Sequence, residues 1–282
     1  MTLSQLKILF TESVSEMYSD SEIVFIFQVF VEELLGFNSI QQRQFSEQEI
    51  SDEQEEKFNQ IISELKTGKP YLQILGETEF YGMKIFVDEN VLIPRPETEE
   101  LLEFAIQKIS NLKSQISNLK IIDIGTGSGI IPLVLKKHFT EAEVSSIDFS
   151  EKALETAKKN ADFHQLEINF IHADYLSLDL HQKFDVIISN PPYIGIDEAK
   201  DIAVSVKEFE PKMALFSPTS DALIFYRKIA EDSKKYLNKN GLLFLEINQK
   251  LGEETLELYQ DFSHSELIKD LSGNDRFIFG IK

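Results

Sequence analysis

The sequence predicts an α/β protein in which a mostly parallel sheet, covered by helices on both faces, follows a small helical domain. Three observations carry this. Apolar residues recur at helical spacing up to about residue 70, residues 78–93 alternate around a Tyr81-Gly82 turn, and from Leu119 onward short β-rich runs alternate with helical ones.

In chain order, "FIFQVFVEELLGF" places apolar Phe25, Val29, Leu34 and Leu35 before a stop at Gly36. "SEQEISDEQEEKFNQIISELKTG" sets Phe58, Ile61, Ile62 and Leu65 on one helical face before Gly68, and nothing in this region reads as a strand. The boundary is placed between Pro70 and Gly76, giving a helical domain over 1–73, a linking hairpin over 74–92 and the remaining domain over 93–282. In the last of these, "KIIDIG" leads to a helix from Ile130, "EVSSID" to "SEKALETAKKNADF", then come "INFIHAD", "FDVIIS", "DALIFYRKIAEDSKKYL" and "GLLFLEI". "ISNLKSQISNLK" reads as a surface linker. Ligands of such sheets sit at the carboxyl ends of the strands.

Composition excludes several functions. Hydrophobic residues make up 42% of the 282, and no apolar run approaches the ~18 residues of a membrane span. The first residues lack the pattern of a secretory signal and cysteine is absent, so a reducing cytoplasm is expected. Against 28 basic residues stand 48 acidic ones, a formal net charge of -20 without a Lys/Arg-rich stripe, which argues against nucleic acid as a direct partner. The five histidines, His138, His164, His172, His181 and His264, show no HExxH or paired-ligand spacing, so no metal is expected, and no GxSxG elbow is present.

Two strand ends carry chemistry. "DIGTGSG", 123–129, ends a strand in glycines that let the backbone turn sharply and approach a ligand, with amide N–H groups and a helix N-terminus facing it. The dinucleotide pattern GxGxxG would need glycine where Ile130 stands. Asp148 ends the next strand, at the offset from which a carboxylate accepts from both ribose hydroxyls of a nucleoside; with Ser150 it could equally cap the helix beginning at Glu151. Asp174 and Tyr175 end the third, where an adenine edge would lie or a simple turn would form. "SNPPYI", 189–194, is a rigid loop: Asn190 and Pro191 each precede a proline and are pushed to extended geometry, while Pro191 and Pro192 donate nothing. A proline pair can simply end a strand. Placed beside the glycine loop, it instead suits a planar primary amide or an aromatic amine, one N–H to the Asn190 side-chain oxygen, another to the Pro191 carbonyl, and Tyr193 against the flat face.

Together with "NVLIPRPETEELLEF", "VKEFEPKMAL" and "GNDRFIFG", these segments resemble the release factor N5-glutamine methyltransferases of the HemK/PrmC type, from about Gly68 to the C-terminus and more loosely before it. NPPY is shared by other methyltransferases of planar nitrogens; "LIPRPETE" is the more specific element. A sister family acting on a ribosomal protein usually has a serine between the arginine and the second proline, where this chain has Arg95-Pro96 directly. The resemblance implies a Rossmann-like S-adenosylmethionine-dependent fold with an antiparallel C-terminal strand. It implies the cofactor on Gly125, Thr126, Gly127, Ser128 and Gly129, its ribose on Asp148, its adenine near Asp174 and Tyr175, and the substrate glutamine held by Asn190, Pro191, Pro192 and Tyr193. Class 1 peptide chain release factors are the implied partners, their Gly-Gly-Gln loop entering the site and the helical domain docking them. "PRPETEE" reads as a proline-led helix start whose first turn holds acids, compatible with Arg95 or Glu97 also bordering the cofactor. Where the family often has Gly-Gly and a further glycine, this chain has Ser217, Pro218 and Ala222.

Two other readings remain open at the level of sequence. An adenine-amine methyltransferase would use the same Asn-Pro-Pro-Tyr grip but calls for a basic recognition region. A non-catalytic cofactor sensor would carry a damaged acceptor pocket, whereas residues 190–193 are whole.

Overall fold

The computed structural model describes residues 1–113, 118–194 and 208–282. Part of the linker-like "ISNLKSQISNLK", and Val206 and Lys207 of "VKEFEPKMAL", lie outside the described residues. The chain forms two compact units, one built on Met1–Gly76 with Phe209, the other on the chain from Glu77 onward.

The first unit consists of α1 (Leu3–Val14), α2 (Asp20–Leu35), α3 (Ser39–Gln44), α4 (Asp52–Lys66) and α5 (Tyr71–Leu75). Capping boxes start the first four: Thr2 with Gln5, Ser19 with Glu22, Asn38 with Gln41 and Ser51 with Gln54. In each, the cap side chain accepts an otherwise unpaired amide and the third residue reaches back to the cap N–H, so short helices stop fraying. Helix α4 buries Phe58, Ile61, Ile62 and Leu65, the face its spacing predicts. Helix α2 corrects its expected face: Ile23, Ile26, Phe27, Phe30 and Val31 are buried, whereas Phe25 is 53% exposed. The run is apolar nearly all round, so periodicity alone cannot choose a side, and the packing of Phe27 on Phe10, ring centroids 5.3 Å apart, does. Phe58 is wholly buried among these side chains. Phe58→Ala is therefore expected to lower unfolding stability by about 3–5 kcal/mol, measurable by urea denaturation.

The second unit opens with a hairpin, β1 (Glu77–Phe80) and β2 (Met83–Phe86). Its loop residues, Tyr81 and Gly82, have φ of 50° and 65°. Positive φ at both positions gives the turn whose twist matches the strands it joins. Asn160, fully buried, ties this hairpin to the sheet domain: Oδ1 accepts from Phe86 N at 2.7 Å, while Nδ2 lies 2.9 Å from both the Phe86 and the Ser128 carbonyls.

After α6 (Pro96–Lys113) come β3 (Lys120–Ile124), α7 (Ile130–His138), β4 (Glu143–Asp148), α8 (Glu151–His164), β5 (Asn169–His172) and β6 (Phe184–Ser189). The one-turn α9 (Lys212–Leu215), α10 (Ile224–Tyr236), β7 (Leu237–Glu246), α11 (Gly252–Glu257), β8 (His264–Lys269) and β9 (Asp275–Ile281) complete the unit. The strands form one sheet in the order β5-β4-β3-β6-β7-β9-β8. All pairs from β5 to β7 are parallel, and β9 runs antiparallel to both its neighbours. Strand β8 is an element that sequence periodicity did not flag. Every residue of β6 is buried, which explains why "FDVIIS" carries no polar alternation. Strand order reverses between β3 and β6, and a crevice at the carboxyl ends there is where a sheet of this winding binds ligands.

Candidate active site

At that crevice lies a cavity of about 490 Å³, large enough for a nucleoside-sized ligand. One wall is the glycine loop. Gly125 N and Thr126 N donate to the Ile147 carbonyl at 2.9 and 3.1 Å, which pins the loop to the end of β4. Gly129, at φ +87°, caps α7 without a side chain, and a Cβ there would lie 3.1 Å from Ala157 Cβ. Both the backbone angle and the close helix thus demand glycine. With no side-chain cap, the first amides of α7, from residues 130 and 131 that line the cavity, are left for a ligand. Beneath the loop Thr126 Oγ1 and Ser146 Oγ are 2.6 Å apart, and Ser146 donates to Asp123 Oδ2 at 2.6 Å. Burial pushes the Asp123 carboxyl well above the usual carboxylate range.

Of the pair expected at this strand end, Asp148 and Ser150, each has its own place. The helix cap belongs to Ser150, whose Oγ accepts from Ala153 N. Asp148 itself braces the cavity wall, accepting from Gly127 N at 2.9 Å and from Ser150 N at 2.8 Å, with one bond on each carboxylate oxygen and lone pairs to spare on both. Its pKa is raised by burial, against which these backbone donors work. Asp174 and Tyr175 also line the cavity; Asp174 Oδ1 accepts from Leu176 N at 3.0 Å, a turn bond, and Tyr175 is only 4% exposed, its ring part of the main core.

Opposite the glycine loop stands the proline loop. Ser189 Oγ donates to the Ile124 carbonyl at 2.6 Å, holding the ends of β6 and β3 together. The Asn190 carbonyl lies 3.5 Å from where a Gly125 Cβ would be, an ordinary contact, and it is the φ of +90° at residue 125 that favours glycine there. Asn190, Pro191 and Pro192 all line the cavity. Tyr193 departs from its expected place: it is not among the lining residues. Its ring packs against the core and its hydroxyl lies 3.4 Å from Glu246 Oε1.

Arg95 borders the cavity, and Glu97 does not. Arg95 Nη2 pairs with Glu210 Oε1 at 2.6 Å, while Glu210 Oε2 accepts from Ile93 N at 3.1 Å. This buried carboxylate joins the Pro94-Arg95 rim to the Pro211 segment, both of them cavity walls. Where the family often has glycines, side chains build the turn: Ser217 Oγ donates to the Asp221 carbonyl at 2.8 Å, and Asp221 Oδ1 accepts from Leu223 N at 3.0 Å.

Sequence reasoning missed Thr98, Glu210 and Glu246. Thr98 is buried, lines the cavity and lies 3.3 Å from Asn190 Nδ2; it donates to Glu246 Oε2 at 2.8 Å. The available signal was a lone carboxylate ending the otherwise apolar "GLLFLE". Burial raises the Glu246 pKa to about 7. Since the folded state then holds a proton that the unfolded chain releases near its ordinary value, this group's penalty is absent at low pH and grows as pH rises to about 7. Wild-type stability relative to Glu246→Gln is expected to fall by about 3 kcal/mol between about pH 5 and pH 8, read from urea midpoints at each pH.

The chain resembles known proteins along its length. Residues 16–76 match the family described as PrmC N-terminal domain, and residues 107–208 the Methyltransferase small domain. A "Release factor glutamine methyltransferase" of Flavobacterium psychrophilum is 43% identical over 99% of this chain and 98% of its own length. One of Bacteroides thetaiotaomicron is 32% identical over 95% of each chain. The chain belongs to the release factor glutamine methyltransferase family. It is accordingly an S-adenosylmethionine-dependent methyltransferase. Among solved structures, the hMettl16 catalytic domain has a TM-score of 0.53 at 17% identity, covering 82% of this chain and 81% of that one. The Thermus thermophilus 16S rRNA methyltransferase RsmC has a TM-score of 0.51 at 18% identity, covering 73% and 49%; at these identities both show a shared fold. Among the described residues no helix is long and apolar enough to cross a membrane, and no three His, Asp or Glu side chains gather as a metal site.

Proposed function

We propose that this chain transfers the methyl group of S-adenosylmethionine to the side-chain amide nitrogen of the glutamine in the Gly-Gly-Gln motif of class 1 peptide chain release factors, in the cytoplasm. The observation that carries the reading is that two loops line one cavity, the Gly125–Gly129 turn and Asn190-Pro191-Pro192. The donor set suits the cofactor: Asp148 has spare lone pairs for ribose hydroxyls, the uncapped amides of α7 suit its carboxylate, and Ile124, Ile147 and Phe149 offer apolar walls for a base. Asp174 and Tyr175 border the adenine end in this reading.

When bound, S-adenosylmethionine supplies a sulfonium-activated methyl, so the residues need to align the acceptor more than to activate the donor. Asn190 Oδ1 accepts one N–H of the glutamine amide and the Pro191 carbonyl accepts the other, which fixes the direction of a nitrogen whose lone pair is delocalised. The same two acceptors favour the positive charge that grows on nitrogen as its bond to carbon forms and the sulfur–carbon bond breaks. The alkylated amide then loses a proton to solvent, being far too acidic to keep it. Arg95 joins the rim next to the cofactor, and the helical unit Met1–Gly76 docks the release factor, a division supported by its separate match as PrmC N-terminal domain.

Incubation with methyl-labelled S-adenosylmethionine and a class 1 release factor tests the assignment. Label confined to the Gly-Gly-Gln glutamine by peptide mass spectrometry is the expected result; label in DNA, RNA or a ribosomal protein and none in the release factor would overturn it.

A further inference from the structure

Glu246 ends β7 with a side chain 1% exposed, and methyl transfer from a sulfonium to an amide calls for no carboxylate there. Its two oxygens face two hydroxyls: Thr98 Oγ1 donates to Oε2 at 2.8 Å and the Tyr193 hydroxyl to Oε1 at 3.4 Å. Asn190 Nδ2 in turn donates to Thr98 Oγ1 at 3.3 Å. Among the described residues, none donates to Asn190 Oδ1.

We propose that Glu246, acting through Thr98, is a positioning residue that fixes which way the Asn190 amide faces, presenting Oδ1 to the substrate and turning Nδ2 away. The inference rests on the reading of Asn190 as the acceptor clamp. It follows from the polarity of the chain. Ionised, as it is above about pH 7, the Glu246 carboxylate only accepts, so in that form the single Thr98 proton is committed to Glu246, and the Thr98 oxygen toward Asn190 carries only lone pairs. An amide in contact with lone pairs must offer its NH2. The two ends of a primary amide have nearly the same shape, so packing alone cannot choose between them, whereas hydrogen-bond polarity can. A flipped Asn190 would point donors at the donors of the substrate amide and leave nothing to accept them.

Glu246 is held in place by more than this chain. Asn248 Nδ2 donates to the Tyr193 carbonyl at 3.2 Å, and the Tyr226 hydroxyl to the Glu246 carbonyl at 3.0 Å. These bonds anchor the backbones of Glu246 and Tyr193, so that the carboxylate and the tyrosine hydroxyl beside it are carried on a braced segment, as supporting groups around a reacting centre need to be.

Three near-isosteric variants test the idea. Thr98→Val removes the relay atom, Thr98→Ser keeps it, and Glu246→Gln offers one acceptor and one donor to two hydroxyls, so the amide loses its single orientation. Thr98→Val and Glu246→Gln are expected to slow single-turnover methylation of a release factor by about 10- to 100-fold, with the dissociation constant for S-adenosylmethionine within about threefold of wild type. Thr98→Ser is expected to recover the rate to within about threefold, a rescue that lost packing would not give. A wild-type rate in Thr98→Val, a Thr98→Ser loss as deep as that of Thr98→Val, or a parallel collapse of cofactor affinity in Thr98→Val would each overturn the proposal. Asn190→Ala measured alongside separates the two claims: full activity there removes the clamp itself, while an inactive Asn190→Ala beside an unaffected Thr98→Val removes only the relay.

Discussion

Asn190→Ala is expected to slow single-turnover methyl transfer by about 100- to 1,000-fold, the loss typical of deleting one fixed group that meets charge in the transition state. S-adenosylmethionine affinity is expected to stay within about threefold, because the polar anchors of the cofactor in this reading lie on the other wall. The argument is geometric. Asn190 lines the same cavity as the glycine loop, and its backbone is held by the Ser189 hydrogen bond before it and the two prolines after it. Truncation should therefore remove the side-chain acceptor without moving the loop. The Pro191 carbonyl remains, so a residual rate is expected rather than none. Calorimetry for the cofactor and rapid-quench kinetics for the transfer check the two halves separately. A variant that transfers methyl as fast as wild type would remove Asn190 from the chemistry, and one that loses cofactor affinity instead would move it to the other wall.

Asp148→Ala carries the second large effect, on binding. Charge-assisted hydrogen bonds are worth about 1.5–3 kcal/mol each, so losing two to ribose hydroxyls would weaken the cofactor about 100-fold or more. The variant also strips Gly127 N and Ser150 N of their acceptor, and part of the loss comes from a slackened loop. Asp148→Asn separates these contributions. It keeps one acceptor oxygen and nearly the same shape, so a loss of about tenfold is expected. Titration calorimetry with S-adenosylmethionine reads both; unchanged affinity in Asp148→Ala would show that the carboxylate serves the loop alone.

The parallel core and the glycine loop were legible because each is written in local sequence: alternating strand and helix runs, glycines at strand ends, and a proline pair that fixes its own backbone. The buried face of α2 was not, since "EIVFIFQVFV" is apolar on every side and only the partner helix decides. Strand β8 was hidden for a related reason: "HSELIK" sits at the sheet edge, with its middle four residues partly buried, and lacks the apolar run of its neighbours. At the site, the loops showed themselves but their supports did not. Thr98 and Glu246 stand 148 positions apart, and Arg95 and Glu210 stand 115 apart, so neither pair leaves any trace in spacing. Tyr193 was expected against the substrate because it adjoins the proline pair in sequence; the structure shows its ring packed on the core and its hydroxyl near Glu246, a contact between residues 53 positions apart that leaves no trace in spacing.

Asn160 has a consequence for how the molecule comes apart. One buried carboxamide serves the edge of the hairpin and the carbonyl of Ser128 together, so melting the hairpin would orphan a group beside the glycine loop. The small ribbon and the glycine loop are thus expected to open as a single cooperative patch, their amide protons exchanging with solvent at a shared rate.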